Sequence, residues 1–123
     1  VIRIVLKAKE VDDIILVTDQ MRAGSLEDGE YDLGGQKVIV KNRAARLENG
    51  SLAGSVLTMD QAVRNVYSLG ELQLPEVIQM VTWNPACLLN IDNQLGKIET
   101  GYQADLVLLD KDLNVKRVFR DGE

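Results

Sequence analysis

Residues 14–19 read Ile14-Ile15-Leu16-Val17-Thr18-Asp19, an apolar, mostly β-branched run that does not alternate and that stops on a carboxylate. Alternation marks a strand with one wet face, and its absence marks a strand buried on both, as in a parallel sheet covered by helices. Such a strand needs parallel neighbours, and the chain offers no other obvious run of that kind. Upstream, residues 1–9 read as a helix with Ile2, Val5 and Leu6 on one face and Arg3, Lys7 and Lys9 elsewhere. Downstream, Gly24, Gly29, Gly34 and Gly35 lie among polar residues, so 20–35 reads as a loop.

Further out the pattern changes twice. Lys37-Val38-Ile39-Val40 and Ala44-Ala45-Arg46-Leu47 pair as a hairpin across Lys41-Asn42-Arg43, and Asn49-Gly50 makes the next turn. From Thr58 the period becomes helical. Thr58 and Gln61 have capping-box spacing, Met59, Ala62, Val63 and Val66 supply the stripe, and Gly70 ends it. A second helix carries Pro75 in its first turn and Leu74, Val77, Ile78 and Val81 on one face. Asn84-Pro85 reads as a cap and first-position proline for a short third helix through Leu89. Leu106–Leu109 and Val115–Phe119 form a closing hairpin. The order is helix, buried strand, inserted hairpin, three helices and a β pair, which is an α/β chain.

Composition narrows the chemistry. With 123 residues, 46% hydrophobic and 27% charged, the chain is globular and long enough to bury a core. Its net charge of −5 argues against nucleic acid, which selects a basic face. No run approaches the length of a membrane span. One cysteine, Cys87, excludes an internal disulfide and fits a reducing, cytoplasmic setting. The chain has no histidine, which removes Ser-His-Asp and Cys-His arrangements and imidazole-held zinc. Chemistry must therefore run on carboxylates, hydroxyls and backbone, or borrow groups from outside these residues. An abrupt helical start and an Asp121-Gly122 turn with no strand after it are expected of a piece of something longer.

Asp19 is the first candidate. A carboxylate just past a buried parallel strand stands where barrels and open α/β folds carry reacting groups, although Asp also caps turns at strand exits. The Ser51-Leu52-Ala53-Gly54-Ser55 run is the second. Its small residues let a ligand approach the backbone, but on the residues alone it reads rather as a plain connector into the helix at Thr58. Gly96–Gly101 reads as two turns around a short strand, Asp105 as a strand start, Trp83 as core, and Cys87 as an inert buried thiol. No role in phosphate binding is assigned to Arg22, Arg43 or Arg46.

Three stretches together resemble the carboxyl-terminal part of the N-acetylglucosamine-6-phosphate deacetylase family. They are Ile15–Met21, the run from Ser51 to Asp60 with Ala62-Val63-Arg64-Asn65 after it, and Asn84-Pro85-Ala86. Gly96-Lys97-Ile98-Glu99-Thr100-Gly101 with Ala104–Val107 is similar to the closing segment of metal-dependent amidohydrolases in general. The resemblance implies the C-terminal fragment of a (β/α)8 TIM barrel with part of a small β-sandwich. Residues 1–95 would belong to the barrel, with a hairpin insertion over 36–50, and 96–123 to the sandwich. It implies that Asp19 is the catalytic base toward a metal-activated water and then the acid toward the departing amine. It implies that Leu52, Ala53 and Gly54 contact a sugar phosphate through their backbone. The reaction would remove the acetyl group of N-acetylglucosamine 6-phosphate. The divalent metal, zinc or similar, would be held by a Glu and two His that this chain does not supply. Gln20 departs from the pattern, where a small residue, usually Ala, is expected.

Other readings stay open on the residues alone. One is another amidohydrolase, dihydroorotase-like or deaminase-like, against which the Leu52–Met59 run argues. The other is a non-catalytic scaffold or interaction domain that has lost its site, which the missing histidines favour if 123 residues is the natural chain length. The partners expected are a sugar-phosphate substrate, no nucleic acid and no membrane. Without the metal a carboxylate base has no activated water to serve, so the chain by itself is expected to be inactive, and its uncovered barrel-facing surface predicts association as a homo-oligomer.

Overall fold

The computed structural model describes residues 1–41 and 44–123. The chain divides into two units, one of Val17–Ala62 and one of Val1–Leu16 with Val63–Glu123.

The first unit is a sheet. Strands β1 (Gly29–Leu33), β2 (Gln36–Lys41), β3 (Ala44–Leu47) and β4 (Leu52–Gly54) lie in sequence order, each antiparallel to the next. Along β2, Val38 and Val40 are buried while Lys37, Ile39 and Lys41 face out, the alternation of a strand with one dry face. With Ala45 they form a small core that Met21, Tyr31, Leu47 and Ala53 pack against. The expected hairpin is present, with Val38 opposite Leu47 and Lys41 opposite Ala44. The connecting Asn42 and Arg43 lie outside the described residues.

Two readings of this region are corrected. The supposed loop 20–35 contains a 3-10 turn, Arg22–Ser25, and the strand β1. Gly34-Gly35 is a two-residue hairpin turn with φ of 61° and 84°, a signal hidden among the other glycines. The exposed Glu30 and Asp32 alternate with the half-buried Gly29 and Tyr31, so β1 looks polar by composition. The second correction concerns residues 14–18, which join no ladder among the described residues. A strand is defined by its neighbours, and among the described residues none pairs with this segment.

The second unit is helical. Helix α1 (Ile2–Ala8), α3 (Leu74–Gln79), α4 (Trp83–Leu88) and the second half of α2 (Met59–Tyr67) accompany the hairpin of β5 (Leu106–Leu109) and β6 (Val115–Phe119). Val63, Val66, Val77 and Leu113 are buried together, with Leu6, Leu16 and Leu109 around them. Helix α2 begins with Ala62 N–H donating to the Thr58 carbonyl, and beyond it Gly70 takes φ of 71°. In α3 a capping box forms between Gln73 and Glu76, whose carboxylate accepts the Gln73 N–H at 2.7 Å.

Four local readings differ from the structure. Asn84 does not cap α4. Thr82 holds that position, and Asn84 lies inside the helix and buried. Trp83 is half-buried and takes the Lys97 ammonium 3.7 Å from its ring centroid, instead of filling the core. Cys87 is exposed, on a helix whose buried residues are Asn84 and Ala86. Ile98 forms no strand and is 90% exposed, with Gly96 and Gly101 both at φ of 95° on either side.

Asp110 closes the β5–β6 turn. Its Oδ1 accepts the backbone N–H of Asp112 and of Asn114, each at 2.9 Å, and Lys116 Nζ lies 3.3 Å from Oδ2. These donors, the Asn114 backbone N–H foremost, hold its carboxyl down from 3.8 to about 2. The folded value lies below the unfolded one, so the stabilisation is complete above the unfolded value and disappears as pH falls through the folded one. Asp110→Ala is therefore expected to flatten the fall of the thermal midpoint between about pH 4 and about pH 2. An unchanged slope by calorimetry would show that the turn makes no such contribution.

Candidate active site

The sheet unit brings the two candidate stretches together. The backbone continues from Val17 through Thr18 to Asp19, which is exposed and has φ of 47°. A left-handed non-glycine residue stores of the order of 1–2 kcal/mol and persists only where its surroundings impose it, although Asp tolerates the region better than most. Directly after it the surroundings are visible. Gln20 makes a parallel bridge with Ser55, and Met21 N–H donates to the Ser55 carbonyl at 2.9 Å. The chain on the far side of Asp19 is thus tied to the end of β4.

Among the described residues the Asp19 carboxylate has no hydrogen-bond or ion-pair partner, so the turn-cap reading finds no support. It points into solvent with its acceptor positions available.

Strand β4 carries Leu52, Ala53 and Gly54. Arg46 stands opposite Leu52 and Ala45 opposite Gly54, so the register shifts and Ala53 has no partner across the strand. This is a β-bulge, which releases one residue's backbone from the ladder and commonly sits beside a functional site. The Ala53 side chain packs toward the sheet core, whereas Leu52 is 72% exposed. At Gly54 an added Cβ would lie 3.2 Å from the Met21 Cβ and 3.3 Å from its Sδ. A larger residue at 54 would need the Met21 side chain to give by a few tenths of an ångström. Ser55 completes the turn toward α2, its Oγ accepting the Leu57 N–H at 3.1 Å. Neither the bulge nor the tie to Ser55 is visible in sequence, since both depend on which residues face each other across strands.

The residues present do not fit a metal centre. Among the described residues no group of three or more His, Cys, Asp or Glu side chains is placed to hold an ion, and the chain has no histidine. What the site offers is an uncoordinated carboxylate and an adjoining stretch of accessible backbone: a proton acceptor and a hydrogen-bonding edge.

Arg46 takes part through its backbone, opposite Leu52, while its Nη1 donates to the Gly50 carbonyl at 2.8 Å. Arg43 lies outside the described residues. The polar residue whose place the sequence reading mistook is Asn84, read as a cap and found as the buried amide of α4. Its signal was an amide within an otherwise apolar helical stretch.

Comparison with known proteins places these features in a family. The chain is 47% identical over 116 residues to an N-acetylglucosamine-6-phosphate deacetylase of Lysinibacillus sphaericus, covering 94% of this chain and 30% of that protein. Among solved structures, N-acetylglucosamine-6-phosphate deacetylase from Thermotoga maritima superposes with a TM-score of 0.86 at 41% identity, covering 99% of this chain and 33% of its own. A mutant of the Mycobacterium smegmatis N-acetyl-D-glucosamine-6-phosphate deacetylase, in complex with N-acetyl-D-glucosamine-6-phosphate, gives 0.88 at 32% identity, with coverage of 99% and 33%. These neighbours are larger barrel proteins, and the chain spans about a third of their length. The model of the amidohydrolase family matches residues 2–123, and the chain belongs to that family.

Proposed function

We propose that this chain is the carboxyl-terminal part of an enzyme that hydrolyses the N-acetyl group of N-acetylglucosamine 6-phosphate, yielding acetate and glucosamine 6-phosphate. The observation that carries the reading is Asp19, exposed and left-handed, at the exit of an apolar segment and joined through Gln20 and Met21 to the end of β4. In this reading Asp19 takes a proton from the attacking water and later delivers it to the departing nitrogen. Water's oxygen bonds to the acetyl carbon, the carbon–nitrogen bond breaks, and the proton neutralises the amine as it leaves. Leu52, Ala53 and Gly54 hold the sugar through backbone groups, with Ala53 freed for this by the bulge.

Residues 1–95 contribute to a (β/α)8 barrel and 96–123 to a β-sandwich in this proposal. The segment 14–18 would then pair with strands from the other two thirds of the protein. A divalent metal would likewise depend on residues other than these 123. A cytoplasmic setting and a homo-oligomeric assembly belong to the same proposal. No helix among the described residues is long and apolar enough to cross a membrane.

The test is acetate release by the full-length protein supplied with N-acetylglucosamine 6-phosphate, its C4 epimer, and the unphosphorylated sugar. Turnover of the first well above the third supports the reading. Equal turnover of all three, or none, overturns it.

A further inference from the structure

We infer that Gln20 is a positioning residue for Asp19, its side chain seated across Gly24 so that the chain just past the carboxylate is held. This rests on the reading of Asp19 as the base. All the residues concerned belong to one unit, Val17–Ala62. A Cβ built at Gly24 would stand 2.6 Å from the Gln20 Cδ and 2.7 Å from its Nε2, closer than non-bonded atoms come. The Gln20 side chain therefore fills the space where any other residue at 24 would carry its own. Gly24 is not among the glycines with positive φ, so its backbone conformation does not call for glycine. What the site uses is the missing Cβ. The Gly24 N–H donates to the Met21 carbonyl at 2.9 Å, which folds the 3-10 turn Arg22–Ser25 back onto the residue after Gln20.

Gln20 is thus held twice. Its backbone bridges to Ser55 at the end of β4, and its side chain lies over the turn that follows. Asp19 is its immediate neighbour in the chain, and the φ of 47° there persists only where the surroundings impose it. The Asp19 carboxylate supplies none of that constraint, having no partner among the described residues. Its direction is set by the backbone, and the next residue along is the one that grips the turn. Gln20 is exposed, so burial does not explain its seat. The absence of a side chain at position 24 does, because it gives the glutamine stem backbone to lie against.

The experiment uses the full-length enzyme and reads kcat for N-acetylglucosamine 6-phosphate per folded molecule. Gln20→Ala trims an exposed side chain, which guards against a variant that fails to fold, and Gly24→Ala evicts the Gln20 side chain without altering it. Each is expected to lower kcat by about 3- to 30-fold with KM within about twofold, the scale of a base displaced by part of an ångström. The double variant is expected to match Gln20→Ala alone, since the added methyl acts through the Gln20 side chain. Beside Asp19→Asn, Gln20→Ala is expected to cost nothing further. A parent-like kcat in either single variant, factors that multiply in the double variant, or an undiminished Gln20→Ala factor beside Asp19→Asn overturns the inference. Failure of the underlying reading shows separately, as an Asp19→Asn enzyme with the parent's rate.

Discussion

Asp19→Asn in the full-length enzyme is expected to lower kcat by about 10²- to 10⁴-fold while leaving KM close to the parent value, the range spanned by losing a positioned proton-transfer group. The substitution isolates the charge unusually well. Asparagine shares with aspartate a tolerance for positive φ, so the backbone at 47° has no new reason to move. The carboxylate has no partner among the described residues, so its loss leaves no buried donor stranded. Asp19→Ala would confound the result by adding backbone strain at the same position. Steady-state measurement on purified folded protein decides the matter. A kcat within about threefold of the parent, far short of that range, shows that another group moves the proton.

The second large effect concerns the 123 residues on their own. They are expected to release no acetate above background, whatever divalent metal is supplied. Free water, with a pKa near 15.7, is a poor nucleophile at neutral pH, and a lone carboxylate does little to change that. The described residues supply no set of ligands that could lower that value. The same molecule is expected to self-associate. Val17 is 71% exposed, Leu88 71% and Ile98 90%, and the cross-strand pair Val107–Val118 presents both side chains to solvent. A two-stranded hairpin is marginal without further cover. Light scattering of the isolated chain should therefore report oligomers, and a hydrophobic dye should bind. A clean monomer that ignores the dye would overturn the second expectation, and metal-dependent turnover the first.

Much of the architecture was legible because it is local. The stripe from Met59 to Val66, the proline opening α3, and the β2–β3 and β5–β6 hairpins each follow from residues within a few positions of one another. The resemblance to a deacetylase family likewise rested on contiguous runs, and the family match over residues 2–123 agrees with it. Misreadings arose where a local signal had two meanings. Gly34-Gly35 signals a tight hairpin as well as a loop, and Asn before Pro signals a cap as well as a buried amide.

From sequence alone came the helices, the hairpins, the absence of histidine, and Asp19 as the carboxylate to watch. The helices and hairpins follow from side-chain period and turn chemistry, and the missing histidine from composition, which need no partner, and Asp19 stands out by its place after an apolar run. Tertiary structure alone decided that 14–18 has no ladder here, that Asp19 is left-handed, that Ala53 bulges out of register, and that Asn84 reaches back 70 residues to the Ile14 carbonyl. Each of these depends on which distant backbone groups face one another, and hydrogen bonds between residues far apart in the chain leave no trace in the order of nearby residues.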